Sequence, residues 1–154
     1  MYRHSVAAVV INHDKQVLIC KRNVPQEHWQ FPQGGVNEGE SEEQGMLREL
    51  QEELGSAKFS LLYKSKHQYR FDWPKNQLRD DGLIGQEQRY YLVLFWGSDS
   101  EITLEERSFT DFQWVDQSEV MQLIFPTRRL IYQAVMEEFV PIIKIASTGD
   151  VFPP

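Results

Sequence analysis

A chain of 154 residues with no repeat or low-complexity segment has the length of one domain, 1–154, with a single core to bury. Its formal net charge of −7 argues against indiscriminate binding to a polyanion, so no DNA partner is expected, and a phosphate-bearing ligand would need its charge offset locally. One cysteine, Cys20, leaves no internal disulfide to form, and no apolar run approaches membrane-spanning or signal-peptide character, so a soluble protein in a reducing, cytoplasmic setting is expected.

Ser5 to Ile11 and Gln16 to Lys21 are apolar or β-branched runs around Asn12-His13-Asp14-Lys15, the pattern of an antiparallel hairpin. Cys20 falls in the second run, where a buried thiol is the ordinary outcome. After a polar stretch from Arg22 to His28, Trp29-Gln30-Phe31-Pro32-Gln33 reads as extended chain delivered to Gly34-Gly35, glycines that permit close backbone approach.

A helix follows from Ser41, whose side chain forms a capping box with Gln44, to Gly55, which can turn left-handed and end it. At about 100° per residue, Leu47, Leu50 and Leu54 fall in one sector while Glu42, Glu49, Glu52 and Glu53 fan out on the other, so these acids are expected to face solvent. Like charges at these spacings cost roughly 0.2–0.5 kcal/mol per pair when nothing neutralises them. A hard divalent cation bound by oxygens would do so, although a solvated acidic face is an equally good account of the spacing alone. Gly45 lies on the acidic side, either making room for an ion or a strand or standing as a tolerated defect.

Lys58 to Trp73 alternates loosely as a long or broken strand, and Pro74 to Gly85 is a polar loop. Gln88 to Trp96 is apolar on both alternating sets and predicts a central strand covered on both faces. An acidic loop, Gly97 to Thr110, leads to a short strand over Asp111 to Val115. Leu130, Ile131, Ala134, Val135 and Phe139 recur at helical spacing, with Pro141 expected to end that helix and 140–154 to form a surface tail. Strands with a helix expected on each side give an α+β or α/β sandwich. The four histidines lack metal-ligand spacing, and no phosphate-binding Gly-Lys-Ser/Thr loop is present.

The span Gly34 to Gly55 resembles the Nudix box at Gly34, Glu40, Arg48, Glu49, Leu50, Glu52, Glu53 and Gly55, and departs from it at Ser56, where the family has an aliphatic residue. Tyr2-Arg3, Lys21-Arg22, Trp29 to Gly35, Ile84 to Tyr91, Gln113-Trp114-Val115, and Tyr132 with Val135-Met136 and Glu138-Phe139 resemble the bacterial branch that hydrolyses RNA 5′-triphosphates and dinucleoside polyphosphates. That resemblance implies an α/β/α sandwich around a mixed sheet, and attack of water on a 5′-triphosphate or polyphosphate aided by two or more Mg²⁺ or Mn²⁺ ions. It makes the Gly34 carbonyl, Glu49, Glu52 and Glu53 metal ligands, with Glu53 first and Glu52 beside it in catalysis. Glu40 and Arg48 become structural partners, and Arg3, Arg22, Gln33 and Phe125 substrate contacts.

Two departures stand out. Ser108 occupies the place of a glutamate common in that branch, so Glu105 or Glu106 is expected to serve if the loop shifts, and the loop from Asn23 to His28 is one residue longer, which leaves the register of Arg22 open. Three functions fit: removal of phosphates from triphosphorylated RNA, hydrolysis of diadenosine tetraphosphate or nucleoside triphosphates, and non-catalytic nucleotide or RNA binding.

Overall fold

The computed structural model describes residues 1–23, 28–78, 80–124 and 128–148. Among them, seven strands form one mixed sheet: β1 (Tyr2–Ile11), β2 (Val17–Arg22), β3 (Trp29–Gln30), β4 (Gln33–Gly35), β5 (Phe59–Asp72), β6 (Gly85–Phe95) and β7 (Phe109–Val115). The helices are α1 (Glu42–Leu54), the single turn α2 (Val120–Leu123) and α3 (Arg129–Ile145). The one parallel pairing among these strands, β1 with β6, lies at the centre, where both strands are apolar on both faces. Ala7, Val9, Ile11, Tyr90, Leu92 and Leu94 point to the core under α3, and Val6, Ala8, Val10, Tyr91, Val93 and Phe95 to the core under α1. The result is the expected α/β/α sandwich with a helix on each side. The predicted long strand is β5, continuous but bulged between Leu61 and Tyr63 and between Lys64 and Gln68.

The β1–β2 hairpin opens immediately beyond its turn. β1 meets β2 only at Ile11 and Val17, after which its edge is taken by β4, with Ser5, Val6 and Ala7 opposite Gly35, Gly34 and Gln33. β2 meanwhile pairs with β3 on that side and with β7 on the other. The chain from Trp29 to Gly35 is therefore a wedge set between two diverging strands, held in part by Ala8 N–H donating to the Pro32 carbonyl at 2.9 Å.

Two helix expectations are corrected. On α1, Leu47 is 40% exposed and Met46 is buried in its stead. The packed stripe runs through Met46, Leu50, Glu53 and Leu54 at i, i+4, i+7 and i+8, so Glu53, expected to face solvent, occupies a core position at 8% exposure. On α3, Pro141 lies inside the helix rather than ending it, and Leu130 is 82% exposed. The buried stripe is Tyr132, Val135, Met136, Phe139 and Ile143, and packing of Phe139 and Ile143 carries the helix past the missing proline N–H while Pro141 faces outward. The segment after Val140 is accordingly no loose tail up to Thr148. Lys15 Nζ donates to the Lys144 carbonyl at 2.9 Å, Thr148 Oγ1 donates to the His13 carbonyl at 2.8 Å, and the His13 ring bonds the Thr148 carbonyl.

Candidate functional site

The wedge brings Gly34 under the N-terminal half of the site, and the turn after it is built to fix α1. Ser41 caps the helix, accepting from Gln44 N–H at 3.1 Å while Gln44 Oε1 accepts from Ser41 N–H at 2.9 Å, and Gly55 closes it at φ 71°. Arg48 ties the turn to the helix. Its Nε and Nη2 fork onto Glu40 at 2.7 and 3.0 Å, and Nη2 also donates to the Gly35 carbonyl at 2.7 Å. The guanidinium beside it holds the Glu40 carboxyl down at about 2, helped by the Asn37 N–H. Gly45 makes room for that pair, because a β-carbon there would press on Glu40 Oε1.

The remaining donor of Arg48, Nη1, reaches Glu49 at 3.0 Å and Glu52 at 3.3 Å. Glu52 stays 57% exposed. Glu49 is half-buried with its carboxylate laid against Gly34, where any side chain would collide with it. Burial pushes the Glu49 carboxyl up, opposed by Arg48. Glu53 sits deeper: burial, then the neighbouring Glu49 charge, push its carboxyl well above the usual carboxylate range against a backbone hydrogen bond from Gln33. One of its oxygens, Oε2, is buried with no hydrogen-bond partner. Burial likewise raises the thiol of Cys20, with the charges of Glu53 and then Asp111 adding to it.

Glu53 forms part of the wall of a cleft of about 180 Å³, polar but for Phe109, shared with Arg22, Gln30, Gln33, Arg107 and Ser108. Gln33 is held there from behind, its Oε1 accepting from Gln88 Nε2 and from Arg128 Nη1 at 3.3 Å. Thus Arg22, Gln33, Glu53 and Ser108 converge on one space, with Glu49 next to them across Gly34. Arg3 stands apart on the other side of β4, packed on Gly35 where a side chain would strike its guanidinium, yet close enough for its charge to favour ionised Glu49. Neither Glu105 nor Glu106 lines the cleft: Glu105 Oε2 accepts from Arg107 N–H at 3.1 Å and Ser108 Oγ at 3.4 Å, and Glu106 is exposed. Phe125 lies outside the described residues. Two further lining residues carry little sequence signal: Arg107 lies in a loop before β7 where the acids stand out, and Gln30 sits inside the extended run that leads to Gly34.

A larger groove of about 330 Å³ between α2 and α3, lined by Met121, Met136, Val140 and Pro141 among others, is apolar and away from the acids. Hard oxygen donors suit a divalent cation at α1, and the orphaned Glu53 oxygen and the bare Cα of Gly34 fit such an ion.

A helix bearing these acids behind a glycine turn, on a mixed sheet between two helices, defines a class. The NUDIX domain profile matches residues 1–135, and the chain belongs to the NUDIX family. Within it, the chain is 40% identical over 150 residues to an RNA pyrophosphohydrolase of Haemophilus influenzae (strain 86-028NP), covering 92% of this chain and 76% of that one. It is 34% identical over 149 residues to the RNA pyrophosphohydrolase of Rickettsia bellii, covering 93% and 92%. Of solved structures, the E. coli dihydroneopterin triphosphate pyrophosphohydrolase shares the fold at a TM-score of 0.73 and 20% identity, over 92% of this chain and 99% of that chain. A C. elegans Ap4A hydrolase does so at 0.68 and 15%, over 91% and 98%. Nudix hydrolases are generally dependent on divalent metal. No helix among the described residues is long and apolar enough to cross a membrane.

Proposed function

We propose that this chain is a cytoplasmic, Mg²⁺- or Mn²⁺-dependent pyrophosphohydrolase that converts 5′-triphosphorylated RNA to 5′-monophosphorylated RNA. The observation that carries the reading is a buried glutamate, Glu53, with one unpartnered oxygen in a polar cleft that also holds Arg22 and Arg107. Named relatives at 40% and 34% identity support RNA as the substrate.

In this reading the Gly34 carbonyl, Glu49, Glu52 and Glu53 hold two or more divalent ions, which would supply charge compensation for the phosphates and acidify water. Arg48 keeps Glu49 and Glu52 close despite their like charge and fixes them to the Gly35 carbonyl. Glu53 orients water and takes its proton, with Glu52 beside it on the helix. Its burial keeps bulk solvent off the reacting atoms, and the backbone of Gln33 fixes its direction. Arg22 and Gln33, which line the same cleft, contact the phosphate chain, and Arg3, behind Gly35, reaches the nucleotide end.

Purified protein incubated with 5′-triphosphate oligoribonucleotide, diadenosine tetraphosphate and nucleoside triphosphates, in Mg²⁺, Mn²⁺ or EDTA, tests this. Monophosphate RNA formed with either metal and not in EDTA is the expected result. Failure to cleave the triphosphate RNA under any of these conditions refutes it. Turnover confined to diadenosine tetraphosphate or nucleoside triphosphates would move the substrate assignment to those compounds, which the same acids could serve.

A further inference from the structure

The turn from Glu105 to Ser108 contributes Arg107 and Ser108 to the lining of the cleft and is anchored at both ends. At its entrance, Thr103 N–H donates to the Leu54 carbonyl and Glu105 N–H to the Glu53 carbonyl, each at 2.9 Å. At its exit, Asn23 donates through Nδ2 to the Glu106 carbonyl at 2.6 Å and through its N–H to the Ser108 carbonyl at 3.2 Å. The Glu105 carboxylate is engaged within the turn itself, accepting from Arg107 N–H and Ser108 Oγ, so Arg107 is the residue through which this turn brings charge to the lining of the cleft.

Arg107 and Arg22 line the same cleft, and among the described residues neither guanidinium forms an ion pair. That is notable where 23 acidic residues outnumber 16 lysines and arginines. Two arginines lining one cleft bring like charges to it that an anion between them would offset, and guanidinium forks match phosphoryl oxygens. At about 180 Å³ the cleft is also smaller than the roughly 300–1,000 Å³ typical of pockets for drug-sized molecules, so it suits phosphoryl groups rather than a nucleoside.

We infer that Arg107, together with Arg22, forms a seat for the uncapped terminal phosphate of the substrate, so the chain favours polyphosphates with a free end over those closed by a nucleoside at both ends. This rests on the polyphosphate-hydrolase reading above. A terminal phosphate brings more charge and one more free oxygen than an internal one, and a second guanidinium gives those oxygens a further pair of donors.

Steady-state kinetics of Arg107→Ala and Arg107→Lys on 5′-triphosphate RNA and on diadenosine tetraphosphate test the assignment. Arg107→Ala should raise KM for the triphosphate about tenfold with kcat little changed, leave the capped substrate within about twofold, and be partly rescued by lysine. Equal losses on both substrates, or an unchanged KM for the triphosphate, would overturn it. Calorimetric titration with inorganic tripolyphosphate in EDTA reads the same seat without turnover. Affinity should fall about tenfold in Arg107→Ala at unchanged unfolding temperature. Equal affinity, or no binding by the wild type, counts against the seat. If the wild type hydrolyses neither substrate, the functional reading fails on its own, and the calorimetry still judges Arg107.

Discussion

Helices α1 and α3 cover opposite faces of one sheet with the same periodicity, yet their buried stripes differ in kind. On α3 the stripe is Tyr132, Val135, Met136, Phe139 and Ile143, a packing surface strong enough to run through Pro141. On α1 it is Met46, Leu50, Glu53 and Leu54, with a carboxylate where the pattern calls for a hydrocarbon. A core expels an unpaired charge unless its surroundings compel it to stay. What compels Glu53 is the helix itself, pinned by its capping box and by Arg48, so the fold tolerates locally what it would reject elsewhere. Stability on one face and a buried, incompletely partnered acid on the other are two uses of one architecture.

The largest expected effect breaks the α1 side. Glu53→Gln should lower RNA 5′-end hydrolysis by about a hundredfold or more, and yet leave the unfolding temperature equal or higher. The sign follows from linkage: a carboxyl whose folded pKa lies above its unfolded value of 4.5 binds its proton more tightly in the folded state, so the stability it costs grows as pH rises above 4.5. A substantial loss of thermal stability in this variant would contradict the account. The matching change on the other face is Phe139→Ala, which should cost about 3–5 kcal/mol in denaturant titration while turnover per folded molecule is kept.

A smaller effect sharpens the role of the loop. With Glu40 held at about 2, the stability of its pair with Arg48 is fully present above 4.5 and is lost as pH falls from 4.5 toward 2. The unfolding-temperature gap between wild type and Glu40→Gln should therefore be constant near neutrality and close in that acidic window. A gap that does not shrink there would show that the pair matters little. Least of all should change in Glu105→Gln and Glu106→Gln, each within about twofold in turnover, as expected of residues off the cleft. A large loss in either would bring a loop acid into the chemistry.

Much of this was legible in the residues. The hairpin, the doubly apolar β6, the Ser41 capping box and the Gly55 terminus are local patterns, and local patterns survive folding. The phase of α1 differs from the leucine pattern because a buried glutamate is invisible to hydrophobic periodicity, which favours Leu47 over Met46. Pro141 reads as a stop in the sequence because the packing beneath it is a tertiary quantity. The split between β1 and β2 joins segments distant along the chain, and no periodicity announces it. Arg107 carries no motif; only the cleft, assembled from β2, β3, β4, α1 and the turn before β7, picks it out.

The wedge of β3 and β4 has one more consequence. Because Gln33, Gly34 and Gly35 are rungs of the sheet rather than a free loop, an inserted or deleted residue between Pro32 and Gly35 would break the register that sets Gln33 in the cleft and Gly34 under Glu49. The exposed turn around Gly82 could absorb the same change with little harm. Length variation in descendants of this chain should accumulate there and be purged from the four residues Pro32 to Gly35.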